Sequence, residues 1–292
     1  MARAIFAITM AAAVLVYADD IPMINPAQQS AGAASTQPAE RHLPAWELPA
    51  VTVVGNPPLR AEDRVGPYEQ PRWTVDRRFP GTRVYVVPDG TVEFEYWTRA
   101  DVPRHGAAEL QHMFELEFGL PYRFQLDLYG IVRNHGDSQN FFDNAIELRW
   151  ALADWGKLWG NPTLYAEYAN IDEDPDKVEL KLLLGDELAP RWHWGQNILW
   201  EAQTGGEREY EYGWTGGLSY TVIDSKLDVG GELQVSFYDV HGDRGSYTHE
   251  VFLGPSVQFR PMARAHLNFA PLIGIGHESP AAKIFFNFGY EF

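Results

Sequence analysis

The sequence predicts an all-β fold, an antiparallel transmembrane β-barrel of about twelve strands, on three observations. From residue 82 onward the chain falls into runs of roughly nine to thirteen residues with apolar and polar side chains in alternation. A tilted strand needs about 9–11 residues to cross a bilayer, whereas strands of soluble sheets average nearer five or six. Ten Trp, fourteen Tyr and sixteen Phe coexist with a mean hydropathy of −0.30, a mixture expected where rings face lipid and polar groups face a lumen. The links between runs also alternate between short and long, as periplasmic turns and extracellular loops do in bacterial barrels.

Residues 1–18 read as a secretory signal peptide: Arg3 gives the basic start, an apolar stretch follows to Tyr17, and small residues lead to a cut after Ala18. The stretch is shorter than the ~20 residues of a spanning helix, so passage through the membrane falls to strands, which satisfy their backbone groups only when the barrel closes. Residues 19–81 are rich in Pro, Ala and Gln and lack a sustained period, which predicts a flexible periplasmic extension. Within it, Pro49-Ala50-Val51-Thr52-Val53-Val54-Gly55 alternates β-formers and is similar to the box through which TonB-dependent transporters pair with their energising protein. The remaining chain is short for the plug and barrel of such transporters, which favours a transiently ordered strand.

Residues 82–292 form the expected barrel, with runs near 91–99, 107–120, 122–134, 144–153, 162–170, 177–185, 191–202, 208–222, 226–238, 248–259, 263–275 and 281–292. Each is one-sided. Tyr122, Phe124, Leu126 and Leu128 oppose Arg123, Gln125, Asp127 and Tyr129; in the last run Ile284, Phe286, Phe288, Tyr290 and Phe292 oppose Lys283, Asn287, Gly289 and Glu291, with Phe285 the exception. Links at 120–122, 187–190, 223–225 and 260–262 are tight, and those at 100–106, 135–143, 171–176, 203–207, 240–247 and 276–280 are longer, so an even strand count leaves both termini in the periplasm. The link 154–161 is too long for its side, and its Trp155 and Trp159 are expected at the membrane interface. A further short strand at 83–87 could change the count.

The formal charge of −17 argues against nucleic acid, which recruits Lys and Arg to phosphate. The absence of Cys removes disulfides, thiolate metal sites and Cys nucleophiles.

By parity the inward face collects Glu93, Glu95, Glu109, Glu115, Glu117, Asp127, Glu147, Glu167, Glu179, Glu201, Glu211, Asp228, Glu232, Glu250 and Glu291. The inward bases are Arg99, Arg123, Arg149, Lys181, Arg191, Arg260, Arg264 and Lys283, so acids outnumber bases by fifteen to eight. Such a lumen either attracts cations or is held shut by ion pairs. Eight-stranded barrels are filled and sixteen-stranded porins are open, so twelve strands leave a narrow channel or an occupied interior. The working function is passage of small solutes with a cation bias; the alternative is a non-conducting structural or adhesion barrel.

Catalysis is the weaker class. A barrel phospholipase needs Ser and His at fixed spacing; His112 is predicted to face lipid, and Ser246 and His249 lack the expected Asn nearby. No cofactor is called for. His193 and His266 fall on inward faces among acids without the close His pair of a metal site, and the Glu115/Glu117 pair is expected to be solvated. Tyr96, Trp150, Trp192, Trp194, Trp200, Tyr210, Tyr212 and Tyr290 are outward and suit interface girdles, while Trp97 and Tyr129 point inward, where they could stack sugars or aromatic substrates. Asp172-Glu173-Asp174 reads as a solvated loop, with calcium or lipopolysaccharide-linked cations as the alternative.

The closing Phe288, Tyr290 and Phe292 resemble the sorting signal of outer-membrane proteins, which implies a bacterial outer-membrane location, a bilayer with lipopolysaccharide around the wall, and the barrel assembly machinery as a partner. That pattern expects Gly five positions before the end, where this sequence has Asn287. Residues 115–134, with Phe118-Gly119-Leu120 followed by Arg123, Gln125, Leu126 and Asp127, resemble a strand-turn-strand of small outer-membrane transporters encoded in aromatic-degradation gene clusters. The resemblance implies a transporter fold and carries no substrate.

Overall fold

A computed structural model describes residues 60–134 and 140–292. The expected signal peptide, the 49–55 island and the first two thirds of the expected extension lie outside the described residues.

Twelve strands close a single antiparallel barrel: β3 (Val92–Val102), β4 (Glu109–Leu120), β5 (Phe124–Asn134), β6 (Asn140–Ala151), β7 (Thr163–Asn170), β8 (Lys177–Ala189), β9 (Trp192–Gln203), β10 (Tyr210–Ile223), β11 (Leu227–Asp239), β12 (Thr248–Met262), β13 (Ala265–Ile275) and β14 (Ala282–Glu291). Each pairs with its neighbours in sequence, and β14 pairs with β3 from Glu291↔Glu93 to Ala282↔Val102, which leaves no open edge. Every expected run coincides with one strand. The turns at 121–123, 190–191, 224–226 and 263–264 are tight, with left-handed φ at Tyr122, Arg123, Arg191 and Ser225. They share an end of the barrel with Arg60, where the described residues begin, and with Phe292, the periplasmic end by the rule that short turns lie there.

The pleat sorts the side chains. Phe114, Leu128, Ile146, Trp150, Ile198 and Leu253 stand on the outer face, exposed as lipid-facing groups are, and the eight outward rings expected as girdle residues lie on that face too. Phe286, Phe288 and Tyr290 continue it, and the Tyr290 ring meets Phe292 edge-on at 5.5 Å. Phe285 leaves the pattern because it points inward, where it joins Trp97, Phe252, Ala270 and Leu272 in an apolar patch on the lumen wall.

The lumen is occupied. Residues 60–91 enter at the periplasmic end, where β1 (Arg64–Val65) and β2 (Gln70–Pro71) form a small hairpin, climb through Trp73 and Phe79 to a bend at Pro80-Gly81, and return through Val84–Val87 to β3. This corrects the expectation that the free extension runs to residue 81. Residues 60–81 are folded against the wall, with Tyr68, Trp73, Arg78 and Phe79 buried. It also explains the long link 152–162. Its Trp155 packs edge-on against Trp73 at 5.6 Å and Tyr85 at 5.2 Å, its backbone N–H donates to Tyr68 O, and Tyr85 donates to Ala153 O. Trp155 therefore supports the inserted segment rather than the membrane interface; only Trp159, 79% exposed, keeps a position suited to the interface.

The wall is shaped to receive this plug. Gly185, Gly195 and Gly217 are register partners on β8, β9 and β10, and all three face inward. A Cβ on Gly195 would lie 2.9 Å from the Val84 side chain, and one on Gly217 would lie 2.5 Å from the Phe79 ring. Three missing side chains make a trough in which the plug lies. A G217V variant is expected to keep the barrel and expel the bend. Because the chain lacks Cys, a single T82C probe reports this directly: maleimide labelling is slow in the parent and fast when T82C is combined with G217V.

Candidate functional site: the charged lumen

Strand register arranges the inward acids into one continuous row. Starting at the periplasmic rim, Glu291 pairs with Glu93, Glu93 with Glu117, Glu117 with Asp127, Asp127 with Glu147, Glu147 with Glu167, Glu167 with Glu179, Glu179 with Glu201 and Glu201 with Glu211. Nine consecutive strands each contribute one carboxylate. Barrel strands tilt against the axis, so a row followed from strand to strand climbs. Glu291 and Glu93 lie beside the periplasmic ends of their strands, whereas Glu201 and Glu211 lie beside the opposite ends.

The plug meets Glu117 of this staircase, and the Glu95↔Glu115 pair beside it, with cations. Arg77 Nη2 lies 2.8 Å from Glu95, 2.9 Å from Glu115 and 3.1 Å from Glu117. Arg83 bonds Glu117 at 3.0 Å and Glu115 more closely still. The Arg77 guanidinium lies over the Trp97 ring at 3.7 Å, and Trp97 Nε1 donates to Glu95 at 2.9 Å and Glu115 at 3.0 Å. Tyr129 donates to Glu115 at 2.8 Å and Gln125 to Glu117 at 3.0 Å. Further round, Arg78 pairs with Asp228 at 2.5 Å and Arg260 with Asp76. The wall's own Arg149 bonds Asp127 at 2.7 Å and also Glu147. Carboxylates at this depth lack water to solvate them, so an ionised group persists only where such partners surround it.

Wall side chains also hold the plug backbone. Glu232 accepts from Gly81 N at 2.8 Å, Asn197 both accepts from Arg83 N and donates to Arg83 O, Gln125 accepts from Val87 N, and Gln258 donates to Arg77 O. His193 is buried against the plug, its ring 4.7 Å from Trp73 and its Nε2 3.6 Å from Glu62.

Above the bend a cavity of about 230 Å³ remains, floored by Arg77, Pro80, Gly81 and Arg83 and walled in part by Arg99, Tyr165, Glu167, Glu179 and Lys181. Lys181 pairs with Glu179, and Lys177 with Glu201 at 2.7 Å. Glu167 and Glu179 of this cavity, and Glu201, Glu211 and Lys283 elsewhere on the inner wall, are all partly accessible, unlike the acids sealed below.

Most expected lumen residues thus stand on the inner face. Three do not: Arg123, Arg191 and Arg264 occupy the periplasmic turns. Arg123 bonds Ala151 O and Asp154, Arg191 bonds Thr221 O and Asp224, and Arg264 is exposed. Parity propagated past the strand ends misplaced them. Glu115 and Glu117 are not solvated but bound to guanidinium, and Arg77 covers the Trp97 face offered for substrate stacking. Sequence reasoning missed Arg77, Arg78 and Arg83 altogether, although the fifteen-to-eight inward excess was a signal that cations were missing from the count.

Among the described residues, three sets bring ligating atoms within 4.8 Å of one another: Glu93/Glu95/His266, Glu95/Glu115/Glu117 and Glu115/Asp127/Glu147. In each, protein N–H groups already take the oxygens. His266 spans the first, its two nitrogens 3.3 Å from Glu93 and 3.1 Å from Glu95. The rim shows no nucleophile and base together at the positions considered: Ser246 bonds Asp243, His249 pairs with Glu278, and His112 bonds Tyr96 on the outer face. The 172–176 loop is clamped rather than free, with Asp174 3.5 Å from Arg133 and Asp172 O accepting from the same guanidinium. Tyr168 and the Ile171 N–H hold the Asp176 carboxyl below its ordinary pKa by hydrogen bonds to its charged form.

No protein-family model matches the chain, and no curated protein does. Among solved structures, the barrel is similar to an outer membrane channel from Pseudomonas putida F1, with a TM-score of 0.52 at 12% identity over 72% of this chain and 98% of that one. It is also similar to the NanC porin (TM-score 0.48, 12% identity, 69% of this chain and 98% of that one) and the KdgM porin (0.48, 9%, 68% and 99%). At such identities the likeness concerns the fold, and the fold is that of a bacterial outer-membrane β-barrel.

Removing the charge at the centre of the ion-pair cluster has a definite expected effect. Leaving buried guanidinium groups uncompensated costs about 3–5 kcal/mol, and most of that falls on the plugged state because the plug carries Arg77 and Arg83. E115Q/E117Q, which leaves Glu95 alone to face both guanidinium groups, is therefore expected to raise trypsin cleavage after Arg77 and Arg83 on the order of 100-fold, while the barrel still migrates as a folded, heat-modifiable species. Unchanged cleavage would show that these pairs do not hold the plug.

Proposed function

We propose that this protein is an outer-membrane channel for small cationic solutes, held closed by the segment 60–91. The carboxylate staircase carries this reading. One-sign charge along a wall of low dielectric concentrates counter-ions and sets selectivity, and here it runs from one mouth to the other on nine adjacent strands. The half above the plug is accessible to a solute and keeps more acids than bases. Assembly machinery would act on the closing strand with Phe288, Tyr290 and Phe292, and lipid and lipopolysaccharide would surround the outer wall.

One observation favours the second reading, a permanently closed structural barrel: Glu95, Glu115, Glu117, Asp127, Glu147 and Asp228 of the lower lumen are all ion-paired. The two readings differ only in whether the plug moves. Its attachment supports movement, because between residues 72 and 87 the hydrogen bonds from plug backbone to the wall run to wall side chains, not to a backbone ladder. Each such bond contributes on the order of 1 kcal/mol net, and the trough beneath is made of glycine.

In planar bilayers the native protein is expected to give rare, brief openings and G217V a sustained conductance, with a reversal potential under a KCl gradient that favours cations. E167Q/E179Q/E201Q should lower that preference while leaving the conductance in place. Silence from both native and G217V proteins rejects a channel, and an anion-directed reversal potential rejects the role given to the staircase.

A further inference from the structure

The chain's own Arg77 shows what the lower lumen binds. Its guanidinium lies on the Trp97 face at 3.7 Å, and its Nη2 reaches both oxygens of Glu115 and one oxygen each of Glu95 and Glu117 within 3.1 Å. Those carboxylates are pre-set by neighbours that do not belong to the plug. Trp97 Nε1 bridges Glu95 and Glu115, Tyr129 donates to Glu115, Gln125 donates to Glu117, and His266 lies against Glu95. The receptor is therefore built on β3, β4, β5 and β13, with three carboxylates gathered around one guanidinium nitrogen and an aromatic face beneath the group.

Guanidinium suits this site better than ammonium for two physical reasons. It is planar, so it stacks on an aromatic face while its N–H groups point outward in the plane, and it is less strongly hydrated, so it gives up less on entering a buried site. The site holds two such groups at once, since Arg83 shares Glu115 and Glu117 and lies 5.9 Å from the same ring.

Building on the channel reading, we infer that the Glu95–Glu115–Glu117–Trp97 site is the binding site for the transported solute, that the solute carries a guanidinium or amidinium group, and that Arg77 and Arg83 occupy the site as its built-in competitor. A solute that descends the accessible acids Glu201, Glu179 and Glu167 reaches the cavity floored by the two arginines. It meets there the groups it must displace. Closure and solute recognition then use the same three carboxylates.

Calorimetry in detergent tests this without requiring conduction. R77A/R83A vacates the site. The expected result is that this variant binds agmatine at least tenfold more tightly than putrescine, which has the same spacer with an ammonium in place of the guanidinium, and at least tenfold more tightly than the native protein binds agmatine. W97F should erase the difference between the two ligands, since Phe fills the space but is the poorer cation–π partner and lacks the indole N–H. Should the double variant not refold, R77A alone, which keeps Arg83 on Glu115 and Glu117, supports the same comparison. Equal binding of agmatine and putrescine, equal binding by native and variant proteins, or no binding to a folded variant overturns the inference. If R77A/R83A conducts cations but shows no preference for agmatine, the channel stands and the site assignment falls; if it binds agmatine selectively but never conducts, the site stands and the channel falls.

Discussion

Charge compensation between Arg77, Arg83 and the carboxylates of Glu95, Glu115 and Glu117 is the constraint around which the rest of the structure is arranged. All three acids are almost fully buried, and a carboxylate removed from water must find donors or a cation. The wall supplies the donors Trp97, Tyr129 and Gln125, but its cation in this quarter, Arg149, is taken up by Asp127 and Glu147. The missing charges come from the plug. That requirement fixes how high the segment climbs, where it bends, and why β8, β9 and β10 present glycine opposite Phe79 and Val84.

The staircase is a consequence of barrel geometry acting on a simple pattern. Inward and outward positions alternate along each strand, and pairing sets which inward positions meet. Once β14 to β10 each place an acid at the partnered position, strand tilt converts a lateral row into a climbing one. Of its lower steps Glu93 meets His266, and Glu117, Asp127 and Glu147 meet plug or wall arginines, while its upper steps are met by Lys181 and Lys177 at most one to an acid. Two electrostatic environments thus lie along one row: a buried lower half with cationic partners and an acidic, partly accessible upper half.

Period-two alternation and turn chemistry are local, and so the strands, the closing pair and the inward acids were all legible in the sequence. What was not legible depended on contacts across the lumen. Phe285 breaks parity-based hydropathy because its partners Phe252 and Leu272 lie on other strands. Trp155 has the composition of an interface residue, and only the presence of Trp73 and Tyr85 beneath the barrel makes it a support for the plug. Arg123, Arg191 and Arg264 show that alternation says nothing past a strand's last paired residue. The plug has no period of its own, since its backbone is satisfied by scattered wall side chains rather than by a ladder. Its rings and arginines, at Trp73, Arg77, Arg78, Phe79 and Arg83, set it apart from the Pro/Ala/Gln-rich stretch before it, and together with the inward acid excess they were the available signal.

The same interaction couples closure to occupancy. Withdrawing the plug from an otherwise unchanged wall would leave Glu95, Glu115 and Glu117 buried without a cation, a state several kcal/mol above either filled one. Under the proposed reading plug departure and cation entry are therefore linked, and by reciprocity the factor by which the seated plug weakens cation binding equals the factor by which a bound cation weakens the plug's hold. A porin with a solvated lumen carries no such linkage, because water satisfies its acids in every state. Here the depth at which the carboxylates are buried makes the empty site the least stable arrangement, so in the proposed channel the acids would exchange an internal cation for an external one rather than merely attract cations.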